Sequence, residues 1–230
     1  MAKGDPAFHR EVEMSAQTFG DINQAKYDLI SLGLPVDLAI DFGPSFRPEY
    51  INFMAANGAD KALAIDFHKA DLDDGVDFHK TNFGEDALVP WIQKYREDIP
   101  GSCLGISFDT MLHQPAPTRV LANFLSVLDS VCIGTPILNG QSDKCTFLPA
   151  IPPEEQEKMF PFNWMSQEMG TAEPGQFADI EKYDWGNWLW GLTDTLLRMW
   201  ISREGFRIEA ERRISRPNAW DWWGCYATRK

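Results

Sequence analysis

Two short apolar runs, each ending in an aspartate, limit most strongly what this chain can fold into. Residues 36–43 read VDLAIDFG and residues 62–66 read ALAID. Runs of this length that are rich in Ile, Leu and Val are typical of buried strands in a parallel sheet. A turn and a stretch of helical character, residues 48–57, separate the two runs. The pair therefore predicts a parallel strand–helix–strand unit.

Polar and flexible residues stand where these two predicted strands end. Asp41 and Gly43 close the first run, and Asp66 closes the second. In open α/β sheets, ligands bind at the carboxyl ends of the strands, beside the switch in strand order. A carboxylate there can accept hydrogen bonds from both hydroxyls of a ribose, and a glycine lets backbone approach the ligand. The pattern predicts a site for a nucleoside-containing ligand.

Apolar runs and amphipathic stretches alternate along most of the chain. Strands are predicted at residues 36–41, 61–66, 76–80, 103–108, 131–134, 206–210 and 222–227. Helices are predicted at residues 5–20, 22–33, 48–57, 86–97, 117–129 and 187–203, with Asp21 as a possible N-cap of the second helix. This order predicts an α/β fold: a doubly wound, mostly parallel seven-stranded sheet with an antiparallel last strand.

The same alternation suggests how the chain is divided. Residues 1–33 form an N-terminal helical segment, and residues 34–137 form the half of the α/β domain that holds the ligand. Residues 138–186 break the alternation and are rich in Pro, Gly, Met and aromatic residues. A stretch of this length is predicted to be a lid or substrate-binding insertion within the same domain. Residues 187–230 supply the last helix and the closing strands.

Charge and cysteine content narrow the class of protein. The formal net charge of −13 repels polyphosphate backbones and disfavours a nucleic-acid partner. No apolar run approaches the roughly 20 residues that span a bilayer, and no signal-peptide core follows Met1. The four cysteines form no C-x-x-C pair and are predicted to be reduced thiols of a cytoplasmic protein. His68 and His79 lack tight ligand spacing, so no metal site is predicted.

The ordered motifs over residues 34–230 resemble those of class I S-adenosylmethionine-dependent methyltransferases. Asp41 and Gly43 match the first motif of that family, whereas Ser45 and Arg47 replace its later glycines. Asp66 matches the acidic residue that ends the second strand. The resemblance implies a Rossmann-like methyltransferase fold with S-adenosylmethionine as its cofactor. Arg47 is open to two interpretations, since it could pair with the carboxylate of the cofactor or with a phosphate.

Two further segments carry the resemblance. Asn82 and Phe83 occupy the place after the third strand where the family contacts adenine. Residues 108–117 (FDTMLHQPAP) are similar to the family's run into its fourth helix. The resemblance implies that Asp109 supports the methionine end of the cofactor or orients His113. A histidine with a pKa near neutrality can take a proton from an acceptor, so His113 is the candidate base. For both residues, capping of the turn remains an alternative.

The function that the resemblance implies is methyl transfer from S-adenosylmethionine to an oxygen or nitrogen of a small molecule. Several aromatic residues could wall a pocket for a partly aromatic or apolar acceptor: Phe160, Phe162, Trp164, Trp185, Trp188 and Trp190. A binding or scaffold domain that does not methylate is the alternative, and an RNA-modifying enzyme is less favoured because of the acidic charge. The sequence leaves the oligomeric state open.

Overall fold

The computed structural model describes most of the chain apart from its first residues and the long insertion. It covers residues 6–44, 48–66, 71–81, 83, 85–114, 116–138, 146–147, 190–215 and 221–230, with the backbone alone for 6–19 and 146–147. The helices are α1 (Pro6–Gly33), α2 (Glu49–Ala56), α3 (Leu88–Arg96), α4 (Pro117–Ser126) and α5 (Asp194–Arg203). The strands are β1 (Val36–Phe42), β2 (Ala59–Asp66), β3 (Val76–Lys80), β4 (Cys103–Phe108), β5 (Ser130–Ile137), β6 (Thr146–Phe147), β7 (Trp190–Gly191), β8 (Phe206–Ile214) and β9 (Asp221–Arg229).

Seven of these strands form one mixed sheet in the order β3-β2-β1-β4-β5-β9-β8. The strands β1 to β5 run parallel to one another, whereas β9 runs antiparallel to both β5 and β8. The strand order reverses between β1 and β4, so their carboxyl ends border a crevice. The predicted doubly wound sheet with an antiparallel last strand is confirmed.

Helices cover both faces of the sheet, and each face has its own hydrophobic core. On one face, residues such as Leu29 of α1 and Met54 of α2 pack against Ile106 of β4. On the other face, α3, α4 and α5 cover the sheet, and Phe124 of α4 stacks on Phe42 of β1 with 3.8 Å between ring centroids. Strands covered on both faces must be apolar along their whole length, which explains the continuous apolar runs of the sequence.

The N-terminal helix differs from the prediction. A break between residues 20 and 22, with Asp21 as N-cap, is wrong: α1 is one continuous helix from Pro6 to Gly33. Its second half places Ile22, Leu29 and Ile30 against the sheet. This spacing keeps one helical stripe buried, and the packing of that stripe outweighs the local tendency of an aspartate to start a helix.

The helix predicted at residues 187–203 also begins later than expected. Trp190 and Gly191 form β7, which pairs with β6 in a separate two-stranded ribbon. The helix α5 then starts at Asp194, where the side chain of Thr193 accepts a hydrogen bond from the Leu196 N–H over 3.2 Å. Leu138 N donates to Leu192 O over 2.7 Å. These non-local backbone bonds hold residues 190–192 extended and prevent an earlier helix start.

Three of the four cysteines lie in the described part of the chain. Cys103, Cys132 and Cys225 are buried and free, and burial raises the pKa of the Cys103 thiol to about 12. Cys145 lies outside the described residues. Within the ranges given above, no helix combines the length and apolar character needed to cross a membrane.

Candidate functional site

Two buried carboxylates lie at the carboxyl ends of neighbouring strands. Asp41 in β1 is 3% exposed and Asp66, the last residue of β2, is 2% exposed. Asp41 pairs with Ala64 in the parallel register, so the side chains of Asp41 and Asp66 lie on the same face of the sheet. The structure thus brings together two residues that the sequence singled out.

Asp41 lies in an unusual electrostatic environment. Burial raises the pKa of its carboxyl well above the ordinary value, and the nearby charges of Asp66 and Glu49 raise it further, whereas Lys26 opposes the shift. Its Oδ2 atom is buried and has no hydrogen-bond partner among the residues that the structure describes. Buried polar atoms are almost always paired, so an orphaned carboxylate oxygen at a strand end marks a position for a donor from a ligand.

Gly43 and Thr110 join the ends of β1 and β4. Gly43 has a φ of +93° and donates its N–H to Ile65 O over 2.9 Å. A Cβ atom at this position would lie 2.7 Å from Thr110 Oγ1. The hydroxyl of Thr110 lies 3.1 Å from Phe42 O and 3.2 Å from Phe108 O. The glycine predicted for the turn is therefore required both by its conformation and by the close approach of Thr110.

Asp109 directly follows β4 and is held by three contacts. Its backbone has a φ of +60°, which non-glycine residues rarely adopt, and its N–H donates to Gly134 O over 2.7 Å. Its Oδ2 accepts from Lys26 Nζ at 2.6 Å, and its Oδ1 accepts from Trp222 Nε1 at 3.3 Å. A backbone strain of this kind at a strand end is a feature of ligand sites.

Lys26 is a site residue that the sequence interpretation missed. It lies on α1 and its side chain is only 2% exposed. The ammonium lies over three aromatic rings, with 5.3 Å to the centroid of Tyr50, 5.4 Å to Phe108 and 5.9 Å to Trp222. A signal for it existed, because Lys26 interrupts the buried stripe of α1. A charged residue on such a stripe indicates a buried partner.

His113 lies in the same loop as Asp109. It ends a short 3₁₀ turn, Met111–His113, and is half-buried; its N–H donates to Thr110 O over 3.1 Å. The indole of Trp190 donates to Gln114 O over 2.9 Å. This bond attaches β7 to the loop that carries the candidate base. The catalytic role of His113 stays a prediction.

The remaining predicted site residues are only partly described. Phe83 is buried and contacts Phe124 edge to face, with ring centroids 5.4 Å apart. This contact places it in the core beside α4, and its packing against adenine stays a prediction. Ser45, Arg47 and Asn82 lie outside the described residues, as do all the aromatic residues of the predicted acceptor pocket except Trp190. In the described ranges, no group of three or more His, Cys, Asp and Glu side chains could hold a metal ion.

The strand order, the flanking helices and the antiparallel β9 define a class: the chain has the fold of class I S-adenosylmethionine-dependent methyltransferases. Its structure is similar to that of the Burkholderia thailandensis 1,6-didemethyltoxoflavin-N1-methyltransferase, solved with 1,6-didemethyltoxoflavin and S-adenosylhomocysteine. That match has a TM-score of 0.56 and 14% identity over 100% of this chain and 92% of the other.

Two further solved structures show the range of proteins with this fold. The magnesium protoporphyrin IX methyltransferase of Synechocystis PCC 6803, with bound S-adenosylhomocysteine, matches with a TM-score of 0.52 and 14% identity over 100% of this chain and 90% of the other. The [4+2]-cyclase SpnF matches with a TM-score of 0.53 and 9% identity over 90% and 80%. No protein-family model and no curated protein matches the sequence. At these identities the likeness establishes the fold.

Proposed function

We propose that this chain is an S-adenosylmethionine-dependent methyltransferase that acts on a small molecule. The observation that carries the proposal is the buried Oδ2 of Asp41, which has no partner among the described residues, beside the buried Asp66 at the carboxyl ends of β1 and β2. The fold supports it, because two of the similar structures are named as methyltransferases and contain S-adenosylhomocysteine.

The residues at this edge of the sheet suit the parts of the cofactor. Asp41 offers an unpaired acceptor for the amino group, and Asp66 offers carboxylate oxygens for the ribose hydroxyls. Gly43 has no side chain to block close approach of its backbone. When bound, the cofactor supplies an electrophilic methyl group on a positively charged sulfur. The protein's own residues then orient the two reactants and exclude water.

His113 is the proposed general base for an oxygen or nitrogen acceptor. It is half-buried in the loop after β4, close in sequence to Asp109. An imidazole in such a position can accept the proton that a hydroxyl or amine loses as it is methylated. If it does so, His113→Ala lowers turnover while the affinity for S-adenosylmethionine stays within about twofold. An unchanged pH–rate profile in the variant would exclude this role.

The insertion is the proposed acceptor side of the site. The bond Leu138 N to Leu192 O joins the two segments that flank residues 139–189, and the bond Trp190 Nε1 to Gln114 O joins one of them to the loop that carries His113. Aromatic residues of residues 138–190 would give this side an apolar character that suits a partly aromatic or apolar acceptor. The boundaries 138–186 for a lid are part of this proposal.

Isothermal titration of the purified protein with S-adenosylmethionine and S-adenosylhomocysteine tests the cofactor. Micromolar binding of both is the expected result, followed by detection of a methylated product by mass spectrometry in a panel of small heteroaromatic, phenolic and amine acceptors. Absence of binding to either ligand would contradict the proposal.

A cofactor-binding domain that catalyses no methyl transfer is the second candidate. It is favoured by the similarity to SpnF, which is named a [4+2]-cyclase although it has the same fold. Binding of both ligands with no methylated product from any acceptor of the panel would favour this candidate over the first.

A further inference from the structure

Lys26 brings a positive charge from the N-terminal helix to the point where the strand order reverses. Its side chain is 2% exposed, whereas that of its partner Asp109 is 32% exposed. The ion pair therefore extends from the interior to the surface of the crevice beside β1 and β4. A buried ammonium is strongly disfavoured unless it is paired, so a lysine here requires a compensating arrangement.

The partners of Lys26 satisfy only part of its hydrogen-bonding capacity. An ammonium has three N–H donors. Among the described residues, Asp109 Oδ2 at 2.6 Å is the one acceptor within hydrogen-bond distance of Nζ. The rings of Tyr50, Phe108 and Trp222 stabilise the charge through their faces but provide no oxygen. Lys26 thus retains donors for a further acceptor.

The second charge on this side of the crevice is the carboxyl of Asp41 at the end of β1, on the face of the sheet that α1 covers. The positive charge of Lys26 acts on Asp41, and the Oδ2 atom of Asp41 has no donor among the described residues. Among the described residues, the crevice therefore offers one carboxylate oxygen without a donor and an ammonium with one acceptor for its three donors. An α-amino acid group carries an ammonium and a carboxylate on one carbon, and it fits such a pair of complementary charges.

The surrounding structure fixes Lys26 in place. Asp109 is held by its bonds to Gly134 O and Trp222 Nε1. The hydroxyl of Tyr50 donates to Asn23 Oδ1 on α1 over 2.9 Å, which connects α2 to the turn of α1 before Lys26. A charge that is positioned before the ligand arrives loses little side-chain entropy on binding.

We propose that Lys26 binds the carboxylate of the amino-acid end of the cofactor, while Asp41 binds its ammonium. This inference rests on the proposed function and makes α1 part of the cofactor site. Lys26 is a binding residue in this view, and it discriminates ligands that have the carboxylate from ligands that lack it.

The experiment measures a ligand preference instead of a single affinity. The affinities of the wild-type protein and Lys26→Met for S-adenosylhomocysteine and for its decarboxylated analogue are determined by isothermal titration. The wild-type protein is expected to prefer S-adenosylhomocysteine by about tenfold or more, as for a charge-assisted hydrogen bond. In Lys26→Met the preference is expected to fall below about threefold, through loss of affinity for the ligand with the carboxylate.

Several outcomes would overturn the inference. An unchanged preference in Lys26→Met, or no preference in the wild-type protein, contradicts it while the proposed function stands. Equal weakening of both ligands indicates a purely structural role for Lys26 and also contradicts it. If the wild-type protein binds neither ligand, the proposed function and the inference fail together.

A second variant guards against misfolding. Lys26→Met leaves Asp109 without its ion-pair partner, which can prevent folding. The double variant Lys26→Met with Asp109→Asn removes that unpaired charge, and Asp109→Asn alone is its matched control. A lower preference for the carboxylate in the double variant than in Asp109→Asn supports the inference, and equal preferences overturn it.

Discussion

β1 carries two aspartates, Asp37 and Asp41, in opposite environments. Asp37, near the amino end, accepts hydrogen bonds at Oδ2 from Ser102 N at 2.7 Å and Ser102 Oγ at 2.8 Å. These bonds lower the pKa of its carboxyl, the backbone bond contributing most. Asp41, at the carboxyl end, has an unpartnered Oδ2 among the described residues, and burial raises the pKa of its carboxyl. Within the part of the chain that the structure describes, Asp37 Oδ2 thus has two donors and Asp41 Oδ2 has none.

Aspartates at the two ends of the neighbouring strands also differ in their environments. At the amino end of β5, Asp129 Oδ2 accepts from Cys103 N and from the Arg96 guanidinium, each at 2.9 Å. Those bonds join α3, β4 and β5, so the carboxylate has a structural role. At the carboxyl end, Asp66 is buried next to Asp41 and its charge destabilises ionised Asp41. Carboxylates that a fold places together at a cost in stability are candidates for ligand binding, whereas satisfied carboxylates stabilise the fold.

The largest expected effect is on cofactor affinity at Asp66. Asp66→Asn removes the negative charge that is proposed to accept from two ribose hydroxyls. Because hydrogen bonds to a charged group contribute about 1.5–3 kcal/mol each, affinity for S-adenosylhomocysteine is expected to fall about a hundredfold. Isothermal titration measures this change.

Asp60, which is exposed at the start of the same strand, offers the matched control. Asp60→Asn removes the same charge from β2 at the opposite end and is expected to leave the affinity within about twofold. Equal losses in the two variants would show that overall charge, and not the carboxyl end of the sheet, determines binding.

Asp41→Asn is expected to separate function from stability. Loss of the negative charge that is proposed to accept from the amino group should weaken S-adenosylhomocysteine binding about tenfold. Removal of an uncompensated buried charge should at the same time raise the free energy of unfolding without ligand by about 1 kcal/mol at neutral pH. Urea denaturation checks the stability. A variant that is less stable and binds normally would reverse the comparison between the two aspartates.

Asp37→Asn is expected to have the opposite combination of effects. The substitution weakens the two bonds from Ser102 that join β1 to the start of β4. The midpoint of thermal unfolding should therefore decrease slightly, while affinity for S-adenosylhomocysteine stays within about twofold. Loss of affinity in this variant would show that the amino end of β1 also controls the ligand site.

The smallest expected effect is the pH dependence of stability. The raised pKa of Asp41 means that its contribution to stability is fully present below an ordinary carboxyl pKa of about 4 and is lost as the pH rises through the higher folded-state pKa. The lowered pKa of Asp37 gives a contribution that is present above about 4 and lost as the pH falls through its folded-state pKa. The stability gained by Asp41→Asn should thus grow between acidic and neutral pH. A gain in stability that does not depend on pH would contradict the raised pKa of Asp41.

The sequence predicted the structure best where the local pattern of apolar residues matches the burial that the fold imposes on them. The strands β1 and β2 were predicted because strands buried on both faces must be apolar throughout, and their terminal aspartates are exceptions that stand out. Lys26 was missed because its partner Asp109 is 83 positions away in the chain, and the contact depends on α1 packing across the strand switch. Thr110 was missed for a similar reason, since its role arises only once β1 and β4 are neighbours.

The start of α5 shows the same limit. The local pattern favoured a helix from residue 187, but Trp190 and Gly191 pair with Thr146 and Phe147, more than 40 positions earlier. A pairing between residues so far apart cannot be recognised from a short segment of sequence. Once its backbone hydrogen bonds form, it outweighs the local preference for helix.

The ribbon of β6 and β7 makes the insertion modular. Since Phe147 pairs with Trp190, the two chain positions that flank residues 148–189 are neighbours in the structure. The entropy of closing such a loop rises by only about 0.6 kcal/mol for each doubling of its length. Evolution can therefore lengthen, shorten or exchange this segment without shifting any strand of the main sheet. If this segment forms the acceptor side of the site, as proposed, changes in its length would alter that side while the carboxyl ends of β1 and β2 keep their geometry.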